Sequence, residues 1–160
     1  MNLKQLYQDI ILEHGKSPRN LGKCEGYSHE AKGYNPLCGD KVHVYLKLDK
    51  GKKVGGLTFE GDGCAISLAS ASIMTELVKG KSFDEVKEIM NAFLNMITKT
   101  SEIRSNHLDE DQKTKLMSLS GVKQFPMRVK CATLSWHTLN SAMEEKKEAV
   151  NTEAMDYEWY

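Results

Sequence analysis

The pattern of hydrophobic and polar residues over positions 1–60 predicts one helix followed by a small sheet. Apolar side chains recur at helical spacing between Leu3 and Glu13, and Gly15 suits the end of that helix. Period-two alternation then predicts strands, and residues 49–52 have the composition of a hairpin turn. The predicted strands are residues 27–34, 41–47 and 54–60. We therefore expect a mostly antiparallel, three-stranded sheet.

After Gly63 the spacing of apolar residues is helical. Ser82 and Glu85 have the spacing of a capping box, and Pro126 suits the first position of a long last helix. The predicted helices are residues 65–79, a helix from the capping box to about Thr98, a short helix near 109–118 and the helix from Pro126. The short helix lies in a polar, mobile connection over residues 99–120. Strands first and helices afterwards predict an α+β fold, a small sheet packed against several helices.

The composition is that of one ordinary globular domain. The chain has 160 residues and a mass of 18.0 kDa, and we expect one domain over residues 1–147 and an acidic, aromatic tail over 148–160. Lys plus Arg and Asp plus Glu each number 22, and this balance argues against a partner that is nucleic acid or a membrane surface. The sequence shows no long apolar run and no signal-peptide pattern, so we expect a cytoplasmic protein with reduced cysteines.

Cys38 lies in a turn, Asn-Pro-Leu-Cys-Gly-Asp at residues 35–40, that leads into the strand over 41–47. Asp40 ends this turn and shares the inward face of the strand with Val42. A carboxylate on a buried face needs a partner, because an unpaired buried charge is costly. The turn therefore carries a thiol beside a carboxylate that needs a bound ligand or a hydrogen-bond donor.

Two further cysteines lie at the starts of predicted helices. Cys64 follows Gly-Asp-Gly, and a helix start favours the thiolate through the helix dipole and the free N–H groups. Cys131 falls in the first turns of the last helix, and Arg128, three residues earlier, projects from the same face.

These positions leave two interpretations open. The two loops and two helix starts can converge on one pocket with three thiolates and a carboxylate, a donor set that zinc binds readily. Alternatively, scattered reduced cysteines are small residues of the core. Cys24 has no carboxylate or glycine-rich segment beside it and is predicted to be an ordinary thiol. Surface positions are predicted for His14, His43, His107 and His137.

Three short motifs follow one another along the chain. They are NPLCGD at residues 35–40, GDGCAIS at 61–67 and RVKC at 128–131. Together they resemble the IscU/NifU N-terminal family of iron–sulfur cluster assembly proteins, over about residues 3–146. The extra connection around 99–120 and the segment 121–126, which leads into 131–136, are most similar to the SufU branch of that family.

The resemblance implies a zinc-dependent sulfurtransferase that accepts persulfide sulfur from a SufS- or IscS-like cysteine desulfurase. The metal ligands it implies are Cys38, Asp40, Cys64 and Cys131. We expect Cys38 to be the sulfur acceptor, because a turn rich in Pro and Gly can swing outward whereas helix starts are anchored. Arg128 is expected to stabilise the anionic site or hold Asp40, and Lys130 to do so less directly.

The alternative function is a scaffold on which a [2Fe–2S] cluster is assembled and transferred, since three cysteines and Asp40 can also ligate a cluster. IscU-type scaffolds carry a histidine immediately before their third cysteine, where this chain has Lys130. A lysine ammonium has no lone pair for a metal at neutral pH. A purely structural zinc domain is weakened because a chain of this length folds without a metal. Downstream cluster assembly proteins are the further partners that we expect.

Overall fold

The computed structural model describes residues 3–100 and 102–154 of the chain. Its α-helices are α1 (Leu3–Lys16), α2 (Ala65–Val78), α3 (Phe83–Asn95), α4 (Glu110–Met117) and α5 (Pro126–Met143). Its strands are β1 (His29–Asn35), β2 (Asp40–Leu48), β3 (Val54–Asp62) and β4 (Val150–Asn151). A π-helical turn, Met96–Thr100, continues α3. Across these described ranges, none of the helices has both the length and the apolar character that a membrane span requires. The predicted α+β fold is confirmed.

The sheet contains four strands in the order β3-β2-β1-β4 within the described part of the chain. The antiparallel pairs β1–β2 and β2–β3 are as predicted. β4 pairs in parallel with β1, at Gly33–Val150 and Tyr34–Asn151, so the predicted count of three strands is wrong by one. A strand of two residues is too short to show an alternating pattern, and only its pairing with β1 reveals it. It lies within the predicted tail, of which residues 155–160 fall outside the described residues.

Side chains at the helix starts accept hydrogen bonds from the first-turn N–H groups. The predicted capping box of α3 is confirmed: Ser82 Oγ accepts from Glu85 N, and the Glu85 carboxylate accepts from Ser82 N. Asp109 and Gln112 form a second capping box at α4. Pro126 opens α5 as predicted, at a position where the missing N–H has no helical partner.

The last helix, α5, forms the centre of the core. It packs against β1 and β2 on one side and against α2 on another, and every residue from 131 to 139 is buried. Trp136 is fully buried; its ring stacks on Phe93 with centroids 4.9 Å apart, and its Nε1 donates to Ser70 Oγ at 3.1 Å. The middle of α5 is therefore shielded from water on several faces.

Two of the four histidines predicted at the surface are buried. His14 and His137 are each 2% exposed, so the surface prediction is wrong for both. His14 lies at the end of α1 against α2, with Nδ1 2.7 Å from Ser72 Oγ, and burial lowers its pKa. His137 is buried because the sheet and the neighbouring helices enclose α5, and burial lowers the pKa of His137 to about 4. His43 and His107 are half-buried.

The polar connection over residues 99–120 packs onto the core. Its predicted short helix is confirmed as α4, and a 3₁₀-helix, Ser118–Gln124, follows it. The buried apolar residues of this connection are Ile103, Leu108, Leu116 and Leu119. Gly121 packs closely against the ring of Tyr7 in α1. A Cβ added to Gly121 would stand only 3.1 Å from a ring carbon of Tyr7. The connection is therefore a packed layer that ends beside the start of α5.

Gly33 lets α5 approach β1, and its replacement tests that contact. A Cβ on Gly33 would overlap Thr138 Oγ1 and stand 3.0 Å from Leu134 Cδ1, both on α5. We expect Gly33→Ala to lower the free energy of unfolding by about 1–3 kcal/mol, because overpacking forces the helix away from the strand. Urea unfolding followed by tryptophan fluorescence measures this. Gly51→Ala is the control, since its Cβ would meet only Asp49 Oδ1, at 3.5 Å, and an equal loss there would contradict the explanation.

Candidate metal and thiol site

The turn between β1 and β2 carries Cys38. Two weak backbone hydrogen bonds of 3.3 Å close the turn, from Cys38 N to Asn35 O and from Gly39 N to Pro36 O. Gly39 has a φ of 70°, a conformation that favours glycine. Cys38 is half-buried, and Leu37 beside it is 51% exposed. The Cys38 thiol therefore lies at the edge of the site that faces solvent.

Asp40 is the first residue of β2 and is only 1% exposed, as its place on the inward face predicts. One carboxylate oxygen, Oδ1, accepts from Cys64 N at 2.8 Å, and the other, Oδ2, accepts from Asn35 Nδ2 at 3.0 Å. Gly63 makes room for this arrangement, because a Cβ added there would overlap Asp40 Oδ1. The buried carboxylate thus has a hydrogen-bond donor on each of its two oxygens.

Cys64 is the N-cap residue of α2, and its Sγ accepts from Ser67 N at 3.5 Å. Hydrogen bonds from the Cys131 thiol and then from Ser67 N lower the pKa of Cys64 to about 6, against the opposing effect of burial. The same hydrogen bond and burial raise the pKa of Cys131. The prediction of a thiolate at this helix start thus agrees with the local geometry.

Cys131 is fully buried in the second turn of α5. Its Sγ lies 3.1 Å from Cys38 Sγ and 3.6 Å from Met127 O. The side-chain amide of Asn35 donates to Cys131 Sγ at 3.4 Å as well as to Asp40. Cys131 is therefore the inner thiol of the cluster, held between the turn and the helix.

The potential ligand atoms of Cys38, Asp40 and Cys131 all lie within 4.8 Å of one another, the one such group found in the described residues. The sulfur of Cys64 is outside this group, but Cys64 is joined to it through its backbone N–H, which donates to Asp40 Oδ1 at 2.8 Å. Two thiols and a carboxylate with a third thiol beside them are donors that suit zinc. The four residues named from the sequence thus meet at one place in the fold.

The remaining sequence candidates differ in their distance from this cluster. Arg128 is exposed, and its Nη1 lies 3.9 Å from Cys38 Sγ; the Cys131 thiol is the main cause of its raised pKa. Lys130 is half-buried next to Cys131 in α5. Cys24 lies away from the cluster, with its Sγ 3.8 Å from Glu25 O and close to Gly56 on β3. The arginine is therefore at the site, and the fourth cysteine is elsewhere.

An open groove of about 550 Å³ leads to the two outer thiols, Cys38 and Cys64. Its other side chains include Phe125, Met127 and Arg128. Phe125 is 58% and Met127 53% exposed, so two large apolar side chains of the groove lie at the surface. The thiols therefore open onto a groove with an apolar rim and a positive charge.

Asn35 lies within the first motif and Thr152 near the C-terminus, and no sequence pattern indicated a role for either side chain. Both side chains are fully buried, and Thr152 Oγ1 donates to Asn35 Oδ1 at 2.8 Å. An asparagine at the end of a strand before a proline is usually a turn residue, so composition alone offered no signal. Only the position of the tail in the fold reveals Thr152 as a neighbour of the site.

Comparison with known proteins finds relatives along nearly the whole chain. Residues 6–148 match the family model of the NifU-like N terminal domain. The chain is 38% identical to the zinc-dependent sulfurtransferase SufU of Bacillus subtilis (strain 168), over 91% of this chain and 95% of that protein. It is 34% identical to the iron–sulfur cluster assembly scaffold protein IscU of Streptococcus pyogenes serotype M1, over 92% of this chain and 88% of that protein. The crystal structure of FiSufU from Fervidobacterium islandicum AW-1 superposes with a TM-score of 0.74 at 36% identity, covering 87% of this chain and 97% of that one.

Gly63→Ala tests whether the position of Asp40 matters to a bound metal. The added methyl group would overlap the Asp40 carboxylate and push it away from Cys64 N. We expect affinity for cobalt(II), measured by competition with a chelator, to fall about 10–100-fold, as is typical when a ligand loses its support. Gly51→Ala, the same change in the β2–β3 turn, serves as the control. Unchanged affinity in Gly63→Ala would contradict a role for Asp40 in metal binding.

Proposed function

The chain belongs to the family of NifU-like N-terminal domains, and we propose that it is a zinc-bound sulfur acceptor of iron–sulfur cluster assembly. In this proposal Cys38 takes persulfide sulfur from a cysteine desulfurase and passes it to later cluster assembly proteins. The relative named a zinc-dependent sulfurtransferase, which aligns over 91% of this chain, supports the choice. Lys130 supports it too, since it offers no metal ligand directly before Cys131.

The observation that carries the proposal is the unequal placement of the three clustered thiols. Cys131 is fully buried in α5, and Cys64 is tied into the N-cap of α2. Cys38 is half-buried on a turn, borders the open groove and has Arg128 Nη1 3.9 Å from its sulfur. A persulfide carried by another protein can reach Cys38 without unfolding a helix.

The proposed zinc ligands are Cys38, Asp40, Cys64 and Cys131. Zinc bound there would keep the thiols deprotonated at neutral pH without adding redox chemistry. Asn35 and the backbone N–H of Cys64 orient the carboxylate, and Asn35 also donates to Cys131. These donors hold the site together when the outer thiol reacts.

In the transfer step the Cys38 thiolate attacks the outer sulfur of the desulfurase Cys–S–SH group. A new S–S bond forms to Cys38 while the S–S bond to the desulfurase breaks, and the desulfurase cysteine leaves as a thiolate. The proton stays on the transferred sulfur. One S–S bond replaces another, so the step needs no outside oxidant or reductant. The guanidinium of Arg128 stabilises the Cys38 thiolate before transfer.

The groove rim is the proposed docking surface for the desulfurase. Its exposed apolar side chains, Leu37, Phe125 and Met127, surround the Cys38 thiol and Arg128. Because the chain has a net charge of zero, we expect docking to depend on these local contacts rather than on long-range electrostatic steering. Lys130 lies on the same helix as Arg128 and is expected to contribute less directly.

A second candidate function is a scaffold for a [2Fe–2S] cluster. Its support is the same set of sulfur and oxygen donors, together with the 34% identity to a protein named as a scaffold. Metal content and colour distinguish the two functions. Protein purified without added iron is colourless with one zinc per chain in the sulfur-acceptor proposal, and brown with visible charge-transfer absorption in the scaffold alternative.

Cysteine replacements test the zinc ligands. Each of Cys38→Ser, Cys64→Ser and Cys131→Ser removes a thiolate from the set and is expected to leave the purified protein with little zinc. Cys24→Ser is the control and should retain zinc like the wild type, because Cys24 lies outside the cluster. Elemental analysis by mass spectrometry measures zinc per chain. Equal loss in Cys24→Ser, or full zinc in any two of the other three variants, would overturn the ligand assignment.

Sulfur transfer itself is tested by supplying ³⁵S-cysteine to a cysteine desulfurase together with the zinc-loaded protein. We expect label on the wild type and on Cys24→Ser, with the persulfide located on the Cys38 peptide by mass spectrometry. Cys38→Ser should accept no label. Arg128→Ala should accept it more slowly, because the thiolate loses its nearby positive charge. A Cys38→Ser protein that is labelled as fast as the wild type would refute Cys38 as the acceptor.

A further inference from the structure

Thr152 connects the C-terminal segment to the candidate metal site. Its side chain is fully buried, and its Oγ1 donates to Asn35 Oδ1 at 2.8 Å across 117 positions of sequence. The amide nitrogen of Asn35 in turn donates to Asp40 Oδ2 at 3.0 Å and to Cys131 Sγ at 3.4 Å. A continuous hydrogen-bond path thus runs from the tail to two of the proposed ligands.

We propose that Thr152 is a positioning residue of the metal site, which acts through the side-chain amide of Asn35. This inference rests on the proposed metal site and adds to it a residue beyond the family match, which ends at residue 148. The segment Val150–Thr152, which we name the tail clamp, then serves the site as well as the sheet.

The tail clamp determines the orientation of the Asn35 side-chain amide. An amide presents an acceptor oxygen at one end and two N–H donors at the other. With the Thr152 hydroxyl donating to Oδ1, the two N–H donors point to Asp40 Oδ2 and Cys131 Sγ. Rotation of the amide by half a turn would place its oxygen against a carboxylate and a sulfur. The hydroxyl therefore favours the one orientation that supports both ligands.

The sheet holds the tail clamp in register. β4 pairs in parallel with β1 at Gly33–Val150 and Tyr34–Asn151, which brings Thr152 next to Asn35 at the end of β1. Asn151 Oδ1 accepts from Glu153 N at 2.9 Å, and this bond closes the chain into the short 3₁₀ turn that begins at Thr152. Pairing with β1 thus sets the place of the hydroxyl, and the buried surroundings keep water from substituting for it.

Zinc release and the cobalt(II) spectrum of the full-length protein test this role. Thr152→Val keeps the shape of the side chain and removes the hydroxyl, so we expect zinc transfer to a chromogenic chelator to become about 10-fold faster. The visible bands of the cobalt(II) protein should shift, because Asp40 and Cys131 change position. Thr152→Ser retains a hydroxyl and should restore both the rate and the spectrum. Thr138→Val is the matched control, since Thr138 is also fully buried but donates within α5, to Leu134 O.

A double variant checks that Thr152 acts through Asn35. Asn35→Ala should accelerate zinc release by itself, and Thr152→Val should add nothing in that background. Wild-type rates and spectra in Thr152→Val, or equal changes in Thr138→Val, would overturn the inference while leaving the proposed function intact. A wild-type protein that binds neither zinc nor cobalt(II) would instead overturn the metal site and this inference together.

Discussion

A carboxylate buried at the start of a strand needs hydrogen-bond donors, and Asp40 takes them from two other segments of the chain. Cys64 N binds one oxygen and Asn35 Nδ2 the other, so the start of α2 and the end of β1 are held to β2 at this point. Without these donors the charge would be costly to bury. The same contacts bring two thiols beside the carboxylate, so one electrostatic requirement determines both the local fold and the chemistry.

The burial of α5 has a second, related consequence. Because Gly33 lets this helix lie directly on β1, Cys131 reaches the turn that carries Cys38, and their sulfurs stand 3.1 Å apart. Trp136 packs this helix against α3 through Phe93 and hydrogen-bonds it to α2 through Ser70. A buried inner thiol and a thiol on a surface turn thus share one site, the division that the proposed sulfur acceptance by Cys38 requires.

Through the tail clamp, the support of the proposed ligands also depends on residues near the C-terminus. The amide of Asn35 satisfies Asp40 and Cys131 at once, and Thr152 satisfies that amide. Asp40, Cys131 and Thr152 each bond to Asn35 from a different element of the fold, as is common where a polar network lies inside a core. The proposed ligands are therefore supported by Asn35 at the end of β1 and, through it, by Thr152 near the C-terminus.

The sequence by itself determined the elements whose signals are local. The capping box at Ser82, the proline that opens α5, the alternation of β2 and the inward face of Asp40 each depend on neighbouring residues, and each was correctly predicted. The spacing of the cysteines left open whether they meet at one site. Their convergence was expected only because the three motifs resemble those of a known family. Tertiary structure alone decided which side chains meet over long separations: β4 beside β1, His137 inside the core, Thr152 on Asn35. The physical reason is that such contacts depend on the packing of whole elements, which no local pattern of residues records.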